Sequence, residues 1–317
     1  MPSGTSVVTI GNFDGCHVGH ASLLKRARSL ADESGARVVA MSFYPHPASV
    51  LRPGTAPPAL LTDWDRRCEL LQQLGADDVT RLEPTQELLT LEPLEFVQEY
   101  IAPLRPSHLV EGSDFRFGKG RTGNLDVLRV LAEAFGFEVV DAEAVKGVLT
   151  DNTEVTVSSS IIRTLLRDGR VRDAAALLGR PHRVTGTVIR GDRLGRQIGY
   201  PTANVQCETL TPGDGVYAGW AHLPTGKSYP AAISMGSRPT VNGNDDRFEV
   251  YIMDAPNDEH RLAGLEEYGW QIGVDVVARV RDQIKFGSVE ELIEELDRDC
   301  RHVRRALERT ISAGVGP

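Results

Sequence analysis

The sequence predicts an α/β protein in two parts: a mostly parallel sheet interleaved with helices over residues 1–180, then an antiparallel β-barrel with a terminal helix over residues 181–317. Strand-like and helix-like runs alternate through the first part, the pattern a parallel sheet requires. After Gly179-Arg180-Pro181 the texture changes to short β-rich runs punctuated by Gly, Pro, Asn and Asp, as in compact barrels. A length of 317 residues also suits about two domains.

The first strand is the apolar run Val7-Val8-Thr9-Ile10. A helix follows over 18–34, because Leu23, Leu24, Ala27, Leu30 and Ala31 share one face at helical spacing and Gly35 offers a C-cap. Further strands are expected at 37–43, 78–82, 108–111 and 137–141, with helices at 62–74, 93–101 and 125–135. Two short helices, about 159–167 and 171–178, close this part. Barrel strands are expected at 183–190, 215–222, 229–235, 247–253 and 272–280. The last helix begins at Ser288, which forms a capping box with Glu291. Val289, Leu292, Ile293, Leu296, Cys300, Val303 and Leu307 give it one apolar face to lay on the barrel.

Bulk properties narrow the function. An apolar content of 41% and a charged content of 25% are those of an ordinary globular protein. A net charge of -9 argues against a nucleic-acid partner but leaves small anionic ligands open, because local groups decide those. No apolar run is long enough to span a membrane and no signal-peptide pattern is present, so a cytoplasmic location is expected. Cys16, Cys68, Cys207 and Cys300 lack metal or redox spacing and read as free thiols.

The chemistry concentrates in four motifs. Gly11-Asn12-Phe13-Asp14-Gly15-Cys16-His17-Val18-Gly19-His20 sits where the first strand hands over to a helix, a place where free N–H groups and the positive helix end attract anions. His17 and His20 can hold phosphates there, with Gly19 letting a ligand approach the backbone; the plain alternative is a Gly-rich turn with surface histidines. Ser158, Ser159 and Ser160 at a helix start, with Arg163 one turn on, suit either a cap or a triphosphate clamp. Gly191, Gly195 and Gly199 precede Pro201-Thr202-Ala203-Asn204, which suggests a flexible lid with Arg196 over phosphates, or a plain turn between strands. Thr202 and Asn204 offer the oxygen ligands that Mg²⁺ prefers. Glu249 alternates with Phe248 and Val250 on a strand, so an acid aimed into a barrel mouth could serve as a general base. Two patterns are decoys. Gly118–Gly123 formally fits G-x-G-x-x-G but lies too late in its domain, and Gly226-Lys227-Ser228 lacks a P-loop's first glycine.

Together these motifs resemble the prokaryotic bifunctional riboflavin kinase/FMN adenylyltransferase (FAD synthetase) family. The resemblance adds Tyr44-Pro45-His46-Pro47, Gly112-Ser113-Asp114-Phe115, Gly215-Val216-Tyr217-Ala218, Gly236-Ser237-Arg238-Pro239-Thr240 and Phe286, all in matching order. It implies a Rossmann-like nucleotidyltransferase domain followed by a riboflavin-kinase-like barrel. The implied barrel reaction is γ-phosphate transfer from ATP to riboflavin, with Thr202 and Asn204 holding Mg²⁺–ATP and Glu249 as base. The implied first-domain reaction joins FMN to AMP, releasing pyrophosphate. There His17, His20 and Arg163 neutralise phosphate charge, Gly11, Asn12, Phe13, Asp14, Gly19 and Ser158 to Ser160 bind nucleotide, and Pro45, His46, Pro47, Asp114 and Phe115 face the flavin. Gly191, Gly195, Arg196, Gly199 and Pro201 bind the barrel's nucleotide. The implied ligands are riboflavin, FMN, FAD and ATP. The chain departs from the usual pattern at Cys16, Ser160, Leu194, Val241, Tyr251 and 265–270, mostly in the barrel. Two other readings remain: a kinase-like half that mainly binds or regulates, or a nucleotidyltransferase for another phosphorylated acceptor. The second leaves the Pro-Thr-Ala-Asn barrel unexplained.

Overall fold

The computed structural model describes residues 4–312 apart from 53, 192, 241, 242, 259, 260 and 263. Asp192 and Val241 therefore lie outside the described residues. The chain forms two compact units. The first holds Met1–Ala59, Trp64–Gly147 and Glu154–Ser158; the second holds Leu60–Asp63, Val148–Thr153 and Ser159–Pro317.

The first unit runs β1 (Ser6–Gly11), α1 (Val18–Ser34), β2 (Arg37–Phe43), α2 (Ala48–Leu51), α3 (Trp64–Gln73), β3 (Asp78–Leu82), α4 (Gln86–Thr90), α5 (Pro93–Phe96), β4 (Pro106–Gly112), α6 (Leu125–Phe135) and β5 (Glu138–Ala142). A short hairpin follows, β6 (Lys146–Val148) with β7 (Glu154–Thr156). The five main strands form one sheet in the order β3-β2-β1-β4-β5, every pair parallel. β1 is buried at every position from Ser6 to Ile10 because both faces of the sheet are covered. Val8, Ile10, Val39, Met41 and Leu109 pack on one face with Phe96, Leu125 and Leu128. Val7, Val38, Ala40 and Val110 pack on the other with Leu24, Ala27, Leu70 and Leu71. Gly35 caps α1 in the left-handed region, as its position predicts. The helix expected over 93–101 stops at Phe96 and continues as a π-helical turn over Val97–Ile101.

The second unit runs α7 (Ser159–Arg167), α8 (Val171–Leu178), β8 (His182–Ile189), α9 (Leu194–Gln197), β9 (Thr202–Cys207), β10 (Gly215–His222), β11 (Ser228–Thr240), β12 (Gly243–Ile252), the short pair β13 (Asn257–Asp258) and β14 (Arg261–Leu262), then β15 (Gln271–Arg281) and α10 (Val289–Ser312). Six strands close into an antiparallel barrel in the order β10-β11-β12-β9-β8-β15. β9 is a barrel strand that the sequence reading did not foresee, and β11 and β12 run longer than expected. The lid expected around Gly195 contains one helical turn, α9. The Gly226-Lys227 decoy is the hairpin joining β10 to β11, closed by the Leu223 N–H on the Lys227 carbonyl. On α10, Cys300, Val303 and Leu307 are buried against Ala218 and Ala278, whereas Val289 stays exposed. Ser288 caps the helix by accepting from the Glu291 N–H at 3.2 Å, and the Glu291 carboxylate reaches back to the Gly287 N–H at 2.8 Å. The early segment Leu60–Asp63 also packs in this unit. Leu60 O accepts from Leu210 N at 2.7 Å, and Asp63 accepts from the Thr185 hydroxyl at 2.8 Å.

A partly buried polar network ties together four barrel strands, β8, β10, β11 and β15. Arg183 of β8 forks onto Asp275 of β15 at 2.6 and 2.8 Å. His222 of β10 reaches Asp275 through Nε2 at 2.8 Å and Ser228 through Nδ1 at 2.8 Å. Burial works to raise the Asp275 carboxyl, but bonds from Arg183 and His222 outweigh it and hold it at about 2. Folding thus lowers this value from 3.8, so the stabilisation is complete above pH 3.8 and is lost as pH falls through about 2. The shift corresponds to about 2 kcal/mol. Urea denaturation of the wild type and Asp275→Asn between pH 2 and 5 is expected to show this acid-dependent loss in the wild type only. Parallel pH curves for the two proteins would refute it.

Candidate active sites

Ligands of open parallel sheets bind beyond the carboxyl ends of the strands, where the strand order reverses. Here that point lies between β1 and β4. β1 runs directly into Gly11, and the turn after it is tightly wound. Phe13 (φ 46°) and Cys16 (φ 40°) adopt left-handed backbone that non-glycine residues seldom take. Phe13 is buried beneath Gly11, and the Cys16 N–H and S–H both reach the Phe13 carbonyl, at 3.0 and 3.2 Å. Cys16 is thereby a buried piece of the turn rather than an exposed nucleophile.

The turn delivers His17 as the N-cap of α1, with Nδ1 accepting from the His20 N–H at 3.3 Å. This bond assigns the neutral ring's hydrogen to Nε2, leaving that atom as a donor. The His17 and His20 rings stack at 3.6 Å between centroids and 14° between planes. Gly19 was expected to admit a ligand to the backbone. The His17 ring lies 3.1 Å from where a Gly19 Cβ would stand. A Cβ at 19 would require the His17 ring to give way by a few tenths of an ångström.

Two buried ionisable residues that sequence reasoning missed brace this edge. Arg67 of α3 is 1% exposed. It donates to Asn12 O at 2.8 Å, Phe43 O at 3.0 Å, Ser42 Oγ at 3.4 Å and Asp14 Oδ1 at 3.1 Å. Asp14 is equally buried, so the pair locks the turn after β1 to the end of β2. On the other side, Glu111 ends β4. β1 and β4 pair only as far as Val8 and Leu109; beyond that the Glu111 carboxyl takes the Ile10 N–H at 2.5 Å. Burial first, then repulsion from Asp114, pushes the Glu111 carboxyl well above its ordinary range despite the bonds from Ile10 and Thr9. A signal existed for Glu111, an acid ending an apolar strand. Arg67 had none, since it reads as one more charge on a polar helix.

The residues expected on the flavin side follow β2 and β4, which flank β1. Tyr44–Pro45 is a cis peptide, and His46 Nδ1 accepts from the Ala48 N–H at 3.1 Å. The guanidiniums of Arg67 and Arg81 lie over the Tyr44 ring, 5.2 and 5.0 Å from its centroid. Asp114 is exposed and Phe115 stacks on Phe117. Ser158 ends the first unit, whereas Ser159, Ser160 and the buried Arg163 begin the second on α7.

In the barrel, Phe248 and Val250 are buried on one face of β12. Glu249 projects from the opposite face, as its alternation with Phe248 and Val250 predicts. It lies in register with Asn204 and accepts from the Thr202 hydroxyl at 3.3 Å. Thr202, Asn204 and Glu249 thus share one face, a hard oxygen donor set. The glycine loop closes directly on it: a Cβ at Gly191 would stand 2.2 Å from Asn204 Nδ2, and one at Gly195 2.2 Å from Tyr200 O. An adjacent cavity is lined by Gly191, Arg196, Pro201, Thr202, Asn204 and Trp270. Among the described residues no cluster of three or more His, Cys, Asp or Glu could hold a metal by itself. Burial pushes the Cys207 thiol up to about 12 and the Cys300 thiol to about 11, so neither is a reactive thiolate. Among the described residues no helix is long and apolar enough to cross a membrane.

Known proteins match both halves. A family model described as FAD synthetase matches residues 2–160, and one described as riboflavin kinase matches residues 178–307. The bifunctional riboflavin kinase/FMN adenylyltransferase of Bacillus subtilis is 33% identical over 307 residues, covering 95% of this chain and 92% of its own. That of Escherichia coli K12 is 32% identical over 300 residues, covering 94% and 91%. A solved structure from Streptococcus pneumoniae, named a macrolide-efflux protein, superposes with a TM-score of 0.83 at 31% identity over 96% of this chain and 95% of its own.

Proposed function

The chain belongs to the bifunctional riboflavin kinase/FMN adenylyltransferase family, and we propose that its two halves divide the two reactions at about residue 180. Its activities are ATP-dependent phosphorylation of riboflavin to FMN and adenylylation of FMN to FAD. The observation that carries the division is that the stacked His17–His20 pair and the Thr202–Glu249 contact lie in different compact units. A nucleotidyltransferase for some other acceptor would leave the second unit without a purpose.

In the adenylyl transfer, an oxygen of the FMN phosphate attacks the α-phosphorus of ATP, and the bond to the β-phosphate oxygen breaks to release pyrophosphate. The nucleophile is already anionic, so the protein's task is placement and charge neutralisation. His17 donates from Nε2 to phosphate, the His20 ring lies against it, and the first-turn N–H groups of α1 add the positive helix end. Gly11, Asn12, Phe13, Asp14 and Gly19 shape that cradle, with Arg67 and Glu111 holding its edges. Ser158, Ser159, Ser160 and Arg163 are proposed as further phosphate ligands on their chemistry. Pro45, His46, Pro47, Asp114 and Phe115 are proposed for the flavin.

In the kinase reaction, Glu249 takes the proton of the riboflavin 5′-hydroxyl as its oxygen attacks the γ-phosphorus, and ADP leaves. Thr202 and Asn204 would hold Mg²⁺ on the nucleotide, and the metal would supply charge neutralisation at the transferring phosphate. Gly191, Gly195, Arg196, Gly199 and Pro201 form the loop over that nucleotide. The need for ATP suits a cytoplasmic location. Incubated with riboflavin, ATP and Mg²⁺, the protein is expected to yield FMN first and FAD after it by chromatography. FMN alone would support a silent adenylyltransferase, and neither product would overturn the reading.

A further inference from the structure

The loop over residues 265–270 does something that neither proposed reaction uses. A single oxygen, Glu267 Oε1, accepts from Arg193 at 3.1 Å, Arg196 at 2.9 Å and the Tyr268 hydroxyl at 3.0 Å. Arg193 also donates to the Tyr268 hydroxyl at 3.0 and 3.1 Å. Arg193, Arg196 and Glu267 line the same cavity as Thr202 and Asn204. Two guanidinium charges therefore share the one Glu267 carboxylate, and Glu266 lines the cavity beside them. Bonds from Tyr268 and then Arg196 hold the Glu267 carboxyl below its ordinary range, so the acid is ionised at neutral pH. The cavity offers about 90 Å³. Small-molecule sites typically need roughly 300–1,000 Å³. A nucleotide is therefore larger than this space while Arg193 and Arg196 stay paired with Glu267.

We propose that Glu267 stands in for a polyphosphate: in the empty barrel it holds Arg193 and Arg196 across the cavity mouth, and the triphosphate of the incoming nucleotide displaces it and takes both arginines. This rests on the reading of the barrel as the kinase. Arginine forks bind phosphate oxygens with short, charge-assisted bonds. The side chains of Arg193, Arg196 and Glu267 are 40%, 29% and 27% exposed, and ion pairs that open to water are weak enough for a polyanion to displace. The latched state lowers apparent nucleotide affinity by the fraction of barrels that are open, without touching the chemical step.

The test is steady-state kinetics of riboflavin phosphorylation by the full chain carrying Glu267→Gln. The KM for ATP is expected to fall about three- to tenfold with kcat unchanged, and adenylylation of supplied FMN to stay as in the wild type. Tyr268→Phe, which removes one bond of the latch, is expected to shift KM the same way by less. With Arg193 and Arg196 both replaced by Ala, KM rises, and Glu267→Gln added to that background changes nothing further. A KM that rises or stays put in Glu267→Gln overturns the latch and makes Glu267 a support for the loop. A wild-type protein that makes no FMN at any ATP concentration overturns the kinase reading itself, before any variant is measured.

Discussion

His17→Ala is expected to lower conversion of FMN to FAD by about 10²- to 10³-fold while FMN formation from riboflavin continues at the wild-type rate. The reasoning begins with the ring's two nitrogens. Nδ1 accepts from the His20 N–H, so a neutral ring carries its hydrogen on Nε2 and can donate there. A donor held ready for charge that builds up in the transition state lowers kcat and kcat/KM together when removed. The same substitution removes the N-cap of α1, which costs about 1 kcal/mol of stability. His17→Asn separates the two effects. Asn is a good N-cap and restores stability, but it lacks the imidazole's far nitrogen and is expected to restore no rate. Recovery of FAD formation in His17→Asn would reduce His17 to a helix cap.

The second large effect is the mirror image. Glu249→Gln is expected to reduce FMN formation by about 10²- to 10⁴-fold and to leave adenylylation of supplied FMN unchanged. Gln preserves shape and still accepts from the Thr202 hydroxyl, so a loss of rate reports the missing proton acceptor rather than a broken contact. Product chromatography with riboflavin and with FMN as separate substrates checks both halves in one preparation. If Glu249→Gln retained more than about a tenth of the wild-type kinase rate, a base contributing on the order of 10²-fold would be excluded.

How much of this could be read before folding follows from distance along the chain. The cradle at Gly11 to His20 was legible because its strand, turn and helix are contiguous, and each announces itself through apolar runs, glycines and a capping position. The parallel order of β1 to β5 follows from the same alternation. What escaped notice is held by remote partners. Arg67 meets Asp14 across 53 residues, and Glu111 meets Ile10 across 101. β9 contains the Thr-Ala-Asn that resembled the tail of a lid, and it is a strand only because β8 and β12 pair with it. The closeness of the His17 ring to Gly19 was likewise not legible, because it depends on how the turn places that ring. The outward setting of Glu249 was implicit in its alternation with Phe248 and Val250; what that pattern lacked was knowledge of which face the closed barrel buries.

Leu60–Asp63 carries a consequence for how such a protein can be inherited or rebuilt. Part of the barrel's surroundings is written 122 residues upstream of the strand it touches, between Asp63 and Thr185. Gene fusion is usually pictured as joining two finished cassettes end to end. Here a cut at residue 180 would separate the barrel's coding segment from this strap and from α7 and α8, which group with the barrel. An isolated 181–317 segment is therefore expected to be less stable than the barrel within the full chain, which comparison of their urea denaturation checks.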